Sequence, residues 1–467
     1  MRPDPAFATP VRKDATTPTR GRRLEAERHS LAAVLELIRS GRASTRLEIE
    51  RLSGLGRAVV SDRLAILIDL GLVAEGELGP AVGGRAPRLM RFRADAGRIL
   101  VATLDQGSIG VGLADLAGRL QVEHHEAADL ALGPDPILER LDMLFDWVLE
   151  QYPGRGGVWG IGLGVPRSYH RPDDPALGPE RLMLTPVWDR ALAVERLVQR
   201  HRAPVWVRSL VQLMTMGELG ASPASRRDLL CVDLGREISA GLISDGRLHR
   251  GALGVAGRIG HISTGDATTV CRCGNTGCLE AFAGAEAIVQ EAMAAARDGR
   301  SRRLADTLEG NGAITATDVG FAAQLGDAFS AELLSRCGRL IGTVLAGLTN
   351  AFNPAAIVLG GELARTSDIL LAAVREAVYR HSDALVTRDL RIERSQMGGS
   401  AGLAGAARLA VDELFAPDML GGWITTGSPL HHPDVTGLLQ RVEQALRQDG
   451  GRTQPPRGSP VPRMPGP

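Results

Sequence analysis

Apolar residues recur at helical spacing near the start of the chain and predict three short helices. The first runs from Ser30 and ends at Gly41, and Thr45 and Glu48 form a capping box that opens the second. The third follows a glycine-containing turn and ends at Gly71. The inward positions of the first and third helices are Leu31, Val34, Leu35, Ile38, Val60, Leu64 and Leu67.

Two short strands, Leu72–Ala74 and Leu89–Phe92, follow the helices and bracket a glycine-rich hairpin. Three helices and a hairpin of this kind predict a winged helix-turn-helix over residues 28–95, a motif that binds DNA. The alternative is a winged helix that serves dimerisation or protein contact.

The third helix predicts how such a domain reads DNA, because its N-terminal end reaches into the major groove. Arg57 is expected to bind a guanine and Ala58 to lie against base edges. Ser61 and Arg63 are expected to hold phosphates. Arg85, on the glycine-rich loop, is expected to enter the minor groove.

From residue 98 onward, strands and helices alternate in two similar halves, which indicates an α/β fold. The last predicted helix covers residues 402–414. Residues 168–182 and 297–312 are predicted to be loops added to this plan. The segment 417–467 is predicted to be a Pro- and Gly-rich tail, with an amphipathic helix over 438–448.

The length and composition of the chain predict the number of domains, the cellular location and the kind of partner. A chain of 467 residues is expected to form two to three domains. No apolar run is long enough to span a bilayer and no signal sequence is present, so we expect a cytoplasmic protein without a membrane partner. Residues 1–97 carry 17 basic and 12 acidic side chains, which favours a nucleic-acid partner. Residues 1–27 are predicted to be a disordered basic arm.

Four metal-binding side chains lie within eighteen residues: His261, Cys271, Cys273 and Cys278. Three thiolates and one imidazole form a closed tetrahedral set, which predicts a structural Zn2+ site. Gly274 and Gly277 permit the tight turns that such close ligands need. Incidental clustering is the alternative, and a disulfide framework is disfavoured because nothing suggests export.

The segment Cys-Arg-Cys-Gly-Asn-Thr-Gly-Cys-Leu-Glu (271–280), preceded by Gly-Arg-Ile-Gly-His (257–261), resembles the zinc loop of the ROK family. That family comprises sugar-responsive repressors, open reading frames and sugar kinases. The resemblance covers residues 30 to 415 approximately, and includes Gly83–Pro87 of the hairpin. It implies a two-lobed, actin-like sugar-kinase fold over residues 96–416, which would serve dimerisation and effector binding.

The resemblance also implies that this chain is not a kinase. Leu210 stands where the family has its catalytic base, and it cannot accept a proton. Ser209 replaces the sugar-orienting asparagine, and bulky residues replace glycines of the second phosphate loop at Gly235–Ser239. A sugar kinase with a rebuilt active site is the competing interpretation.

The family's sugar pocket is altered as well. His261 and Glu280 remain, whereas the sugar-binding glutamate is replaced by Arg258. In one interpretation Arg258 and Glu280 pair and fill the pocket, and in another Arg258 and Arg167 bind an anionic ligand. The third interpretation is that there is no ligand. The expected effector-binding residues are therefore Arg258, His261, Glu280 and Ser209.

Taken together, these residues predict a DNA-binding transcriptional regulator, a repressor of carbohydrate-related genes, with a catalytically inactive sugar-kinase-like body. The expected partners are a double-stranded DNA operator and a sugar, sugar-acid or phosphosugar effector. A homodimer or a dimer of dimers is expected, because two half-sites give specificity. A regulator that senses no ligand is a further alternative.

Overall fold

The computed structural model describes residues 20–79, 86–105, 107–154, 156–166, 190–222, 227–265, 269–437 and 439–440. They form two compact units. The first contains the described residues up to Arg93 together with Phe415–Gly427, and the second contains Ala94–Leu414 and the described residues from Ser428 onward. Within these ranges, no helix has both the length and the apolar character needed to cross a membrane.

Three helices and a two-stranded antiparallel sheet make up most of the first unit. They are α1 (Arg20–Arg39), α2 (Arg46–Ser53), α3 (Arg57–Asp69), β1 (Val73–Leu78) and β2 (Arg88–Phe92). The predicted capping box is confirmed, since the Thr45 hydroxyl accepts the Glu48 N–H and the Glu48 carboxylate accepts the Thr45 N–H. The predicted inward residues are all buried, namely Leu31, Val34, Leu35, Ile38, Val60, Leu64 and Leu67.

Helix α1 begins at Arg20, well before Ser30, where the apolar repeat places its start. Residues 20–27 of the predicted disordered arm are therefore helical. This stretch has no apolar stripe, but it consists largely of arginine, leucine, glutamate and alanine, which favour helices intrinsically. Residues 1–19 lie outside the described part of the chain.

The first lobe of the second unit is built on a five-stranded sheet in the order β5-β4-β3-β6-β7. Strands β3, β4 and β5 pair antiparallel, whereas β3, β6 and β7 pair parallel. The elements are β3 (Arg98–Asp105), β4 (Ser108–Asp115), β5 (Leu120–Ala127), α4 (Pro134–Gln151), β6 (Val158–Val165), α5 (Arg190–His201), β7 (Val205–Ser209) and α6 (Leu210–Ala221).

The second lobe repeats this topology with the order β10-β9-β8-β11-β12, so the prediction of two similar α/β halves is confirmed. Its first elements are β8 (Leu229–Leu234), β9 (Ile238–Ser244), β10 (Arg247–Leu248), α7 (Leu279–Ala283), α8 (Ala285–Arg297), α9 (Arg302–Asn311) and α10 (Ala316–Gln324). The remainder are α11 (Ala328–Phe352), β11 (Ala356–Gly360), α12 (Glu362–Thr366), α13 (Asp368–His381), α14 (Ala384–Thr387), β12 (Arg391–Arg394) and α15 (Ser400–Leu414).

The loop predicted over 297–312 is wrong for most of its length, because α9 covers residues 302–311. The Ser301 hydroxyl caps this helix by accepting the Leu304 N–H, and Gly312 ends it at φ 72°. The arginines and glycines of the segment suggest a loop, but these two capping residues define a helix. The other predicted loop, residues 168–182, lies outside the described residues.

Helices α6 and α15 cross at very short range beneath the first sheet. A Cβ atom on Gly405 would lie 1.8 Å from the Leu213 carbonyl oxygen, and one on Gly217 would lie 2.1 Å from the Ala401 carbonyl oxygen. Only glycine permits this approach, so both helices are fixed at the crossing.

The chain returns to the first unit after α15, which the sequence did not predict. Helix α16 (Pro417–Trp423) lies against α1, with Leu420 and Trp423 fully buried. The Phe415 ring packs edge-on against Phe92, with the ring centroids 6.0 Å apart. Residues 415–427 are therefore a structural part of the first unit and not a tail. Residues 441–467, and with them most of the helix predicted at 438–448, lie outside the described part.

Candidate metal centre and effector cleft

The four predicted metal ligands come together just before α7. His261 ends a short 3-10 turn, and the loop that follows runs to Cys278, the N-cap of α7. A backbone bridge joins Ser263 to Cys278 at the base of this loop. Gly274 and Gly277 have φ angles of 89° and 72°, so the turns between the cysteines require glycine.

The distances between the ligand atoms fit one tetrahedrally coordinated ion. All four atoms lie within 4.8 Å of one another. The Cys273 and Cys278 sulfurs are 3.7 Å apart, and Cys271 Sγ is 3.7 Å from His261 Nδ1. A tetrahedron with metal–sulfur bonds of about 2.3 Å has sulfur–sulfur edges of about 3.8 Å. The cluster can therefore hold a metal ion, with all four positions supplied by the protein.

Without a bound ion, the buried thiols of the cluster favour their protonated form. Burial, together with the neighbouring Cys273 and Cys271 thiols, raises the pKa of Cys278 to about 12. Burial raises the pKa of Cys271 as well. A bound dication would reverse this effect, because a coordinated thiol is deprotonated by the charge of the ion. Without an ion these thiols would be poor nucleophiles, so the cluster is suited to binding metal rather than to thiol chemistry.

Glu280 lies beside the metal loop and is only 7% exposed. One carboxylate oxygen accepts the Ile238 N–H at 2.7 Å, and the other lies 3.7 Å from the Arg272 guanidinium. The same Arg272 nitrogen donates to Glu237 at 2.5 Å. Burial raises the pKa of Glu280, while the Ile238 N–H and the charge of Arg272 lower it. One guanidinium therefore bridges two carboxylates, one on α7 and one in the turn between β8 and β9.

Arg258 does not pair with Glu280, which was one of the interpretations of the altered pocket. Glu280 pairs with Arg272, and Arg258 has no ion-pair partner among the described residues. Arg258 instead lines a cavity of about 270 Å³, together with His249 and mainly apolar residues. Arg167, the other arginine expected here, lies outside the described residues.

Leu210 begins α6 and lines a second cavity, in the cleft between the two lobes, of about 30 Å³. This volume accommodates about one or two water molecules. Its walls include three acidic residues, Asp105, Asp233 and Glu237, and one basic residue, Arg236. The hydroxyl of Ser209, at the N-cap of α6, is buried without a hydrogen-bond partner among the described residues.

In the first unit, the N-terminal turn of α3 presents Arg57, Ala58 and Val59 to solvent, while Ser61 is half-buried. Val59 is 38% exposed, although adjacent valines at 59 and 60 suggest core positions. Helical geometry separates them, because consecutive residues point about 100° apart. Arg85 lies outside the described residues.

Arg63 is held by side chains of the first unit. Its guanidinium donates to the Ser30 hydroxyl at 2.9 Å and to Glu27 at 3.1 Å, both on α1, and also to its neighbour Asp62. The Arg63 side chain is only 11% exposed. Its contacts therefore tie α3 to α1.

The sequence did not single out Arg272 or Glu237 as functional residues. Arg272 stands between Cys271 and Cys273. Its position in the sequence could have indicated a structural role, because a metal ion bound by both cysteines would hold the residue between them in place. Glu237 is 35 residues away along the chain, so their pairing becomes visible only in the folded protein.

Comparison with known proteins identifies the family of this chain. A model described as the ROK family matches residues 139–413, more than half of the chain. The chain belongs to the ROK family. A xylose repressor of Caldicellulosiruptor bescii is 28% identical, over 82% of this chain and 95% of the relative. The DNA-binding transcriptional repressor Mlc of Escherichia coli is 27% identical, over 83% and 94%.

A solved ROK structure shows the same fold. The crystal structure of a ROK family transcriptional regulator, a homologue of the E. coli Mlc protein, matches with a TM-score of 0.68 at 22% identity. The match covers 87% of this chain and 99% of that chain. The predicted α/β, sugar-kinase-like ROK fold is thereby confirmed, and both five-stranded sheets belong to it.

Proposed function

We propose that this ROK protein is a DNA-binding transcriptional regulator that represses carbohydrate-related genes. The observation that carries the proposal is its similarity to two repressors over 82% and 83% of its length. Matches of this length include more residues than the second unit contains, so they extend into the first. A regulator requires both a DNA-binding unit and a sensing body, and the similarity covers parts of both.

We assign the first unit as a winged helix-turn-helix DNA-binding domain and α3 as its recognition helix. The predicted domain, residues 28–95, gains residues 20–27 and 415–427 in this proposal. Arg57 and Ala58 are exposed at the N-terminal turn of α3, where side chains reach base edges in the major groove. Ser61 and Arg85 are proposed to bind the DNA backbone and the minor groove.

The test is selection of DNA sites by the full chain from sheared genomic fragments. We expect wild type to enrich a roughly palindromic site, and Arg57→Ala to bind that site about 5- to 150-fold more weakly, as for loss of a guanine contact. Arg380→Ala is a matched control, because Arg380 is an exposed arginine of the second unit. If wild type enriches no site, the proposed DNA-binding function is wrong.

Arg63→Ala should separate a structural role from a phosphate contact. Because Arg63 ties α3 to α1, we expect a lower melting temperature of the first unit and weaker operator binding with an unchanged salt dependence. A direct phosphate contact would instead reduce the slope of log affinity against log salt by about one. Measuring operator affinity at several salt concentrations distinguishes the two outcomes.

We propose that the body does not phosphorylate sugars. Leu210 lines the cleft and cannot act as a base. We expect no sugar-dependent ADP formation with a panel of hexoses, pentoses and N-acetyl sugars, while an active ROK glucokinase responds in the same assay. Sugar-dependent turnover by the wild-type chain would favour the competing kinase interpretation.

The remaining assignments complete the proposal. We propose that His261, Cys271, Cys273 and Cys278 hold a structural Zn2+, for which the closed donor set is suited. The effector is proposed to be a sugar, sugar acid or phosphosugar bound near Arg258, His261, Glu280 and Ser209. The protein is proposed to act in the cytoplasm as a homodimer, or a dimer of dimers, because paired recognition helices read paired half-sites. The Arg272 guanidinium lies beside the Glu280 carboxylate, which leaves that carboxylate less available to a ligand. This contact supports the alternative of a regulator that binds no effector.

A further inference from the structure

Arg272 connects three parts of the second lobe. It lies between the ligands Cys271 and Cys273, so a metal ion held by both neighbours would fix its backbone. Its guanidinium reaches out of the metal loop to Glu237 at 2.5 Å and to Glu280 at 3.7 Å.

The turn between β8 and β9 receives these contacts. Glu237 lies in that turn and forms part of the cleft wall, on the opposite side from Leu210 of the first lobe. The next residue, Ile238, donates its backbone N–H to Glu280 at 2.7 Å. The turn is therefore tied to the metal loop twice: by Glu237 directly through Arg272, and by the Ile238 N–H through Glu280.

We propose that Arg272 is a positioning residue that transmits metal binding to the cleft, by holding the Gly235–Ile238 turn through Glu237 and Glu280. A metal bound by Cys271 and Cys273 would hold the backbone of Arg272 in place, and the guanidinium of Arg272 holds the turn. The proposal rests on the proposed metal site, and it adds a route from that site to the cleft.

The charges explain why the arginine is needed for this arrangement. Glu280 is 7% exposed and Glu237 is 26% exposed at its side chain, so solvent screens their charges incompletely. Without Arg272, two carboxylates would face the same region with only the Ile238 N–H to stabilise one of them. Like charges that are partly buried repel, and the turn would move away from α7.

Hydrogen exchange of the Ile238 amide measures this link directly, because the Ile238 N–H donates its hydrogen bond to Glu280. We would measure hydrogen exchange of residues 235–240 in the full chain, loaded with zinc and then stripped by a chelator. In wild type, stripping should accelerate exchange of the Ile238 amide about tenfold or more, as expected for opening of a local hydrogen bond. Glu237→Gln and Arg272→Gln should show the fast exchange with zinc still bound.

A charge swap and a matched ion pair make the test specific. Arg272→Glu combined with Glu237→Arg places an arginine beside both carboxylates again, and should restore slow exchange. Arg336→Gln breaks a 2.6 Å pair with Glu291 in the same lobe, and should leave residues 235–240 unchanged.

Two results would overturn the proposal. One is wild-type protection of the Ile238 amide in both single variants with zinc bound. The other is an equal acceleration by chelator in wild type and Glu237→Gln, because the metal would then act by a route without Arg272. Metal analysis of the purified chain is the preceding step. A chain that binds no zinc contradicts the proposed metal site itself and overturns the coupling with it.

Discussion

Replacing Trp423 with alanine is expected to destabilise the first unit strongly and to weaken operator binding. Trp423 is fully buried in α16, which lies against α1. Truncation of a buried tryptophan to alanine costs about 3–5 kcal/mol, and a small unit has about 5–15 kcal/mol in total. The first unit would therefore lose a large part of its stability because of a substitution more than 300 residues away from α1 along the chain.

Hydrogen exchange of residues 30–69 in the full chain would measure this effect, with operator affinity as the second measurement. Trp147→Ala is the matched control, because Trp147 belongs to the second unit and is 39% exposed. We expect faster exchange in the first unit for Trp423→Ala only. Unchanged exchange and unchanged DNA affinity in that variant would show that α16 does not stabilise α3, the proposed recognition helix.

Replacing Cys278 with serine is expected to remove the metal and to loosen the loop from His261 to α7. Even the loss of a residue that only supports a metal ligand costs about 10- to 100-fold in affinity, so the loss of a ligand should cost more than about 100-fold. The wild-type chain should contain one zinc per chain by mass spectrometry of metals. The variant should retain little, and its melting temperature should fall because metal binding stabilises the folded state.

Cys337→Ser provides the control for this experiment. Cys337 is a fully buried thiol of α11, outside the ligand cluster, and burial raises its pKa to about 12. A serine there should disturb packing but leave the zinc content unchanged. Equal loss of zinc in both variants would mean that the metal depends on the stability of the lobe rather than on the Cys278 thiolate.

Local features of this chain could be predicted from its sequence because the interacting residues are close together. The four metal ligands span eighteen residues, and the Thr45–Glu48 capping box spans four. The two α/β halves were recognisable as well, since alternating strands and helices leave a repeated pattern. In each case spacing along the chain determines which side chains meet.

Long-range contacts could not be predicted in the same way. The sequence predicted that Arg63 contacts phosphate, but it did not show that Ser30 and Glu27 on another helix hold this side chain. One interpretation of the sequence paired Arg258 with Glu280, whereas in the structure the Arg272 guanidinium lies beside Glu280. A charged side chain can pair with any of several groups that are distant in sequence. Which of these groups lies near it is determined only when the chain folds.

The return of residues 415–427 to the first unit also sets the order in which the protein can be completed on the ribosome. About 320 residues separate α1–β2 from α16, the element that covers them. At a synthesis rate of about 5–20 residues per second, a growing chain spends roughly 15–60 s with α3 synthesised but α16 not yet synthesised. A product of premature termination carries α3 without Trp423. Under the proposed function, operator occupancy would depend on translation through Trp423, which would keep chains that end before α16 from competing with those that contain it.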